Sequence, residues 1–257
     1  MGGLILAGLG RYEEALAAGD RAIATARRMG RGDNVVTNYS TMPLRDIFSL
    51  EEARQRSEVV VGRLGPSDFN MPWMNARADL LCADLLLGNL GAVENAWPGA
   101  WEDATGSSAW ERWLVSGRLA AVRAEAEFQA ERYDEAVTWA RRALDMARAV
   151  QRRKYEAVAL ITLGRALTAT RLFSDAVAQL QACVSLADGL GSPLFRWQVR
   201  AALAEAARGV PEDAPTADAH LEEAVRIIRA VAGSLAPERA DGYLAAGPVA
   251  EVLERAG

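Results

Sequence analysis

Leu163-Gly164-Arg165-Ala166-Leu167, then Phe173-Ser174-Asp175-Ala176-Val177 with Leu180, Cys183, Val184 and Leu186, decides the fold of this chain. Apolar residues recur three and four apart on both sides of a short turn, the spacing of two amphipathic helices. Small residues (Gly164, Ala176, Cys183) stand where the two axes must come close. The phrase also returns. Ala15, Ala53, Ala96, Ala136, Ala176 and Ala217 fall in register at spacings of 38, 43, 40, 40 and 41. Such a period marks an array of stacked helix pairs, each needing its neighbours to bury its apolar face.

Composition agrees with helix. The chain of 257 residues is rich in Ala, Leu, Arg and Glu, and 51% of it is hydrophobic. A formal net charge of −5 gives no support to nucleic-acid binding, which needs a basic face. Lys154 is the one lysine among 29 basic residues, an arginine bias that points to a GC-rich bacterial genome. The two cysteines, Cys82 and Cys183, provide neither a disulfide framework nor a paired metal motif, so a reducing cytoplasm is expected. One histidine, His220, cannot build a histidine-rich metal site, and no apolar run approaches the ~18 residues of a membrane span.

In chain order the expected repeats are 1–30, 31–65, 70–105, 108–150, 152–190 and 193–233, followed by a capping tail, 234–257. They form one helical-repeat domain. Pro43 is expected to break the first helix of the second repeat, and Ser49-Leu50-Glu51-Glu52 has capping-box spacing before the next helix. Gly65-Pro66-Ser67 reads as a turn, and Trp97-Pro98-Gly99 should kink or stop the second helix of the third repeat. Pro248 suits a first helical turn, so Val249–Arg255 reads as a short C-terminal helix. Met1-Gly2-Gly3-Leu4-Ile5-Leu6 lacks the polar outer face of a terminal repeat, which leads us to expect a longer parent protein.

The residues at these positions resemble the tetratricopeptide repeat: Gly10, Tyr12, Ala15 and Ala22; Tyr133, Ala136 and Ala143; Leu163, Gly164, Phe173, Ala176 and Cys183. Repeats of about forty residues exceed that family's usual ~34, and its tryptophan near the start of the first helix is absent. Longer repeats of this kind are similar to the C-terminal arms of large bacterial signal-transducing ATPases, including LuxR-type transcription activators and ATPase–adenylate cyclase fusions. Arg153-Lys154-Tyr155, Gly191-Ser192-Pro193, Trp197, and Gly242-Tyr243-Leu244-Ala245 with Val249 carry that second likeness. The resemblance implies an all-α, right-handed superhelix of about six antiparallel helix pairs with a short capping helix.

Catalytic chemistry is missing from the pattern. Gly2, Gly3, Gly8 and Gly10 are not followed by the Gly-Lys-Ser/Thr of a phosphate loop, and His220 has no evident nucleophile partner. No catalytic residue, cofactor or metal ligand is expected. What remains is binding. In such a superhelix the first helices line the concave side, which places Asn38, Arg118, Glu125, Phe128, Lys154, Ile161 and Arg165 at a groove for a protein or peptide partner. Packing is the commoner role of a tryptophan cluster, yet Trp97, Trp101, Trp110 and Trp113 near the irregular repeat could form a small-molecule pocket. Arg141, Arg142, Arg148, Arg152, Arg153 and Lys154 make a local basic cluster that helix-end electrostatics largely explains. The reading that follows is a non-catalytic interaction array serving as the sensory or regulatory arm of a cytoplasmic regulator, with any ATPase or output domain outside this sequence. An inducer-sensing domain and an oligomerisation module are the alternatives.

Overall fold

Every regular element among the described residues is helical; the computed structural model describes residues 2–65, 71–106 and 112–257. By their contacts these residues group into two units. One comprises Met1–Leu119 with Ser234–Gly242, the other Ala120–Gly233 with Tyr243–Gly257.

In the first unit α1 (Gly2–Gly8) packs on α2 (Tyr12–Arg28), and α3 (Asn34–Tyr39) with α4 (Thr41–Asp46) packs on α5 (Leu50–Arg63). The helix α6 (Met71–Leu86) lies against both α5 and α7 (Leu90–Gly106). The division between units falls within α8 (Arg112–Gln129). In the second unit α9 (Tyr133–Ala149), α10 (Arg153–Ala169), α11 (Phe173–Leu190), α12 (Pro193–Ala207) and α13 (Ala217–Ala232) each pack on the next. After α14 (Pro237–Ala245), α15 (Gly247–Glu254) packs on α13 with Pro248 in its first turn, as its sequence predicts.

The turn inside each of the first five pairs is made of backbone. Gly10, Phe48, Gly88, Glu131 and Arg171 adopt left-handed φ of 77°, 57°, 79°, 59° and 61°. The residue after each donates its N–H five residues back: Arg11 to Leu6, Ser49 to Leu44, Asn89 to Asp84, Arg132 to Glu127 and Leu172 to Leu167, at 2.8–2.9 Å. This is the Schellman closure, which satisfies a helix-end carbonyl while reversing the chain. It also accounts for a departure from the sequence reading. The Ser49 side chain makes no cap hydrogen bond, and its N–H is already committed to Leu44, so Glu52 cannot complete a capping box there.

The two proline expectations resolve differently. Helix α3 ends at Tyr39 and α4 restarts at Thr41, so the break precedes Pro43 by three residues. A proline ring clashes with the carbonyl four residues upstream, here that of Tyr39, so the chain breaks where the clash would fall. Pro98 does not stop its helix. It sits inside α7, which continues to Gly106, held by burial of Val93, Trp97, Ala100 and Ala104 on one face. The expected turn at Pro66-Ser67 lies outside the described residues.

Small residues set the helix approach. A Cβ on Gly164 of α10 would sit 2.4 Å from Cγ of Leu180 on α11, and Ala176 is completely buried. A segment far along the sequence completes the first unit: the Ala236 N–H donates to Glu13 Oε1 at 3.0 Å, and Arg239 lies 3.4 Å from Glu52 Oε2.

Two outcomes test this account. Arg171 is exposed and left-handed, so Arg171→Gly should stabilise the chain by about 0.5–1 kcal/mol, while Gly88→Ala should cost about 1 kcal/mol, both read by denaturant midpoint. Gly164→Ala should destabilise by about 1–3 kcal/mol through overpacking. Leu180→Ala in the same chain should recover part of that loss, giving a non-zero coupling in a double-mutant cycle.

Candidate partner-binding face

The first helices of successive pairs touch through polar side chains about forty residues apart. In the first unit the centre is Asp79 on α6, which is 4% exposed. Arg118 of α8 donates to its Oδ1, and the Arg45 guanidinium of α4 is 3.1 Å from the same oxygen. The Asn38 amide of α3 donates to Oδ2 at 2.8 Å, and the Thr41 hydroxyl stands 3.0 Å from it. Arg118 also donates to Asn75 Oδ1 at 2.8 Å. Burial alone would raise the Asp79 carboxyl, but the charges of Arg118 and Arg45, with the Arg118 and Thr41 hydrogen bonds, outweigh it and hold the group below the usual carboxylate range. Asn38, Asp79 and Arg118 are separated by 41 and 39 residues, so one register position on three first helices is stitched together.

This differs from the sequence expectation for two residues. Asn38 and Arg118, read as lining a groove, are buried and spend their donors inside the protein. A guanidinium and an amide at helix-facing positions satisfy a buried carboxylate, so this cluster is structural.

In the second unit the same register gives a half-buried cluster. Arg165 of α10 is 2.8 and 2.9 Å from the two oxygens of Glu125 on α8, and the Thr162 hydroxyl donates to Glu125 at 3.1 Å. The Arg165 guanidinium stacks 4.2 Å from the Phe128 ring centre, and Phe128 in turn leans on Tyr133 with ring centres 5.5 Å apart. Glu125, Phe128 and Arg165 are thus brought together and retain solvent exposure. Lys154 stands apart from them, its ammonium 5.8 Å from the ring of Phe195 on α12. Ile161 is buried, 6% exposed, and contributes wall rather than contact surface.

Forty residues beyond Arg165 the register reaches Glu205, which sequence reasoning did not single out. Arg255, just past α15, stands 3.4 Å from Glu205 and donates to the Ala201 carbonyl at 3.2 Å. A cleft of about 570 Å³ opens there, lined by Glu205, Arg208, Glu251, Glu254 and Arg255. The fixed spacing was the available signal: 125, 165 and 205 are as regular as the alanines.

No protein-family model matches this sequence, and no curated protein matches it. Solved structures do. A Rap protein in complex with Competence and Sporulation Factor superposes with TM-score 0.63 at 10% identity, covering 96% of this chain and 69% of that one. A signal transduction ATPase with numerous domains, carrying a tetratricopeptide repeat sensor, from Pyrococcus horikoshii gives 0.59 at 16% identity, covering 95% of this chain and 35% of that one. Aspartyl phosphate phosphatase F from Bacillus subtilis gives 0.58 at 10% identity, covering 90% and 62%. The chain has a tetratricopeptide-like repeat fold. It spans about a third of the length of the ATPase that it resembles.

Within this tetratricopeptide-like array the tryptophans mostly pack. Trp97 is buried, donates its indole N–H to the Leu119 carbonyl at 2.8 Å, and stacks on Trp101 with ring centres 5.3 Å apart. Trp113 is half-buried, and Trp110 lies outside the described residues. The basic cluster is dispersed among neighbours: Arg148 pairs with Glu156 at 2.9 Å, Arg142 lies over Trp139 and Arg152 over Tyr155. Burial pushes the Cys183 thiol up to about 12, aided by Glu156, which makes it unreactive. Burial, then the Arg200 charge, lowers His220 and favours its neutral form. Among the described residues no group of three His, Cys, Asp or Glu side chains could hold a metal ion, and no helix is long and apolar enough to cross a membrane.

Asp79→Asn leaves Arg45 and Arg118 without their buried counter-charge and should cost about 3–5 kcal/mol at neutral pH. The folded carboxyl titrates below its unfolded value of about 3.9, so its contribution is complete above that pH and is lost as pH falls further. The gap between variant and wild type in chemical denaturation should therefore narrow only below about pH 4.

Proposed function

We propose that this chain is a non-catalytic protein-interaction array, the sensory or regulatory arm of a bacterial, cytoplasmic signalling or transcriptional regulator. The observation that carries the reading is the Glu125–Arg165–Phe128 cluster. It presents a stacked guanidinium, a carboxylate and an aromatic edge on neighbouring first helices, all still partly open to solvent. Arginine and aromatic side chains in partly formed pockets are the groups that anchor protein interfaces. A helix or extended segment of a partner laid across α8 and α10 would meet the Phe128 ring edge and charge at Glu125 and Arg165. The complex of a Rap protein with its factor and the sensor role of the repeats in the archaeal ATPase support this use of a shared fold.

Binding would act on an attached ATPase or output domain by favouring one arrangement of stacked repeats over another, which requires different affinity for the two. The inducer-pocket alternative has less behind it, since Trp97 is consumed in packing against α8. The face itself is tested by pull-down from the source cells, using the full chain and the doubly substituted Phe128→Ala, Arg165→Glu chain. A specific partner should be retained by the first and lost by the second, with both melting at comparable temperatures. Identical retained sets for the two chains would remove the basis for this reading.

A further inference from the structure

The outward faces of the second helices in the second unit carry charges in an order that one chain cannot satisfy by itself. Helix α10 packs on both α9 and α11, and α12 on both α11 and α13. Antiparallel pairing makes α9, α11 and α13 run the same way, so equal steps from the aligned alanines Ala136, Ala176 and Ala217 are equal heights. Five, six and nine residues on, α9 has Arg141, Arg142 and Asp145, while α13 has Glu222, Glu223 and Arg226. Sign for sign, α13 is the inverse of α9. At the same heights α11, between them, has Gln181, Ala182 and Ser185, none of them charged. All nine are exposed except Glu223, which is half-buried.

Local contacts account for part of this set: Arg142 lies over the Trp139 ring, and Glu223 accepts from Arg226. Arg141, Asp145 and Glu222 have no side-chain partner among the described residues. Two helix steps, about 20 Å, keep the opposite charges of α9 and α13 apart within a chain. A two-fold axis alongside α11 removes that separation. It lays α11 on the α11 of a second copy, and α9 over that copy's α13, with every height unchanged. Arg141 then faces Glu222, Arg142 faces Glu223 and Asp145 faces Arg226, and each pairing occurs twice. A charge close to such an axis would meet its own like, and the middle of α11 has none. Ala182 and Ser185 are also short enough to let the long side chains on both flanks reach across. The charges of α11 stand at its ends: Asp175 in the first turn, and Asp188, held by Arg196 and Arg200 at 3.0 and 2.8 Å. Arg148 and Arg229 would form one like pair, but Arg148 already binds Glu156 at 2.9 Å.

We propose that the outward face of α9, α11 and α13 is a dimerisation surface, on which a second copy of this chain docks two-fold with α11 against α11. The three helices offer a footprint about 25 Å long and about 20 Å wide, which buries on the order of 1,000 Å² in total. That area lies at the lower limit of specific interfaces and fits a dimer that dissociates in the micromolar range and weakens with salt. The surface belongs to second helices, so it is separate from the Arg165 cluster and does not depend on it.

Sedimentation of the full chain across the micromolar range tests the assignment. The wild-type mass should rise from one chain to two with concentration, and the rise should shift to higher concentration as salt is added. Arg141→Glu and Glu222→Arg each set like charges face to face twice, and each should weaken dimerisation at least about tenfold. Mixed in equal amounts, the two variants should dimerise with each other about as tightly as wild type, because every like pair then becomes an opposite pair. Both positions are exposed, so the variants should keep the wild-type melting temperature. A wild-type chain that stays monomeric throughout would overturn the proposal, as would dimerisation indifferent to either reversal. A mixture that associates no better than its separate components would overturn it too, by removing the two-fold pairing.

Discussion

A turn made of backbone alone underlies everything else in this chain. One left-handed residue and one N–H reaching five residues back reverse the chain within each of the first five pairs, from Gly10 to Arg171. Because the closing hydrogen bond asks nothing of side chains, the turn position accepts Gly, Phe, Glu or Arg at a modest conformational cost. The helices that follow have freedom to vary as well, and only the residues at the axis crossing are held small. That division of labour lets a repeat keep its shape while its sequence drifts, and it fits a fold shared with solved structures at 10–16% identity.

The same logic explains how much was legible beforehand. The alanine register, the helix pairs and the C-terminal helix at Pro248 follow from periodicity and small-residue spacing, which act locally. The cap at Ser49 and the stop at Pro98 did not follow. Ser49 is a helix start and a turn closure at once, and only the second role survives because its N–H can be used once. Pro98 removes one hydrogen bond, but burial of Trp97, Ala100 and Ala104 keeps the helix going. In the first case a competing backbone hydrogen bond, in the second side-chain burial, outweighed a local propensity.

For the site, register carried the positions but not their exposure. Asn38, Arg118, Glu125 and Arg165 were all found by the forty-residue step, and all do lie where first helices meet. Two of them turned out to be buried because Asp79, an unremarked residue in an apolar helix, draws in every donor around it. Spacing tells which helix face a residue occupies. Whether that face is open depends on the partner across the gap, and a single sequence does not say which charges will meet.

The segment Ser234–Gly242 gives the first unit an uncommon dependence on synthesis order. Stacked repeats ordinarily assemble from near neighbours as they leave the ribosome. Here the Glu13 carboxylate accepts a hydrogen bond from Ala236, 223 residues away, and Arg239 reaches Glu52 across 187. Helices α1 to α7 can stack early, yet the unit stays open at that edge until Ala236, 223 residues after Glu13, has been made. Closing so long a loop is slow relative to local stacking. Helices α1 to α7 therefore present an unfinished surface until the Ser234–Gly242 segment emerges.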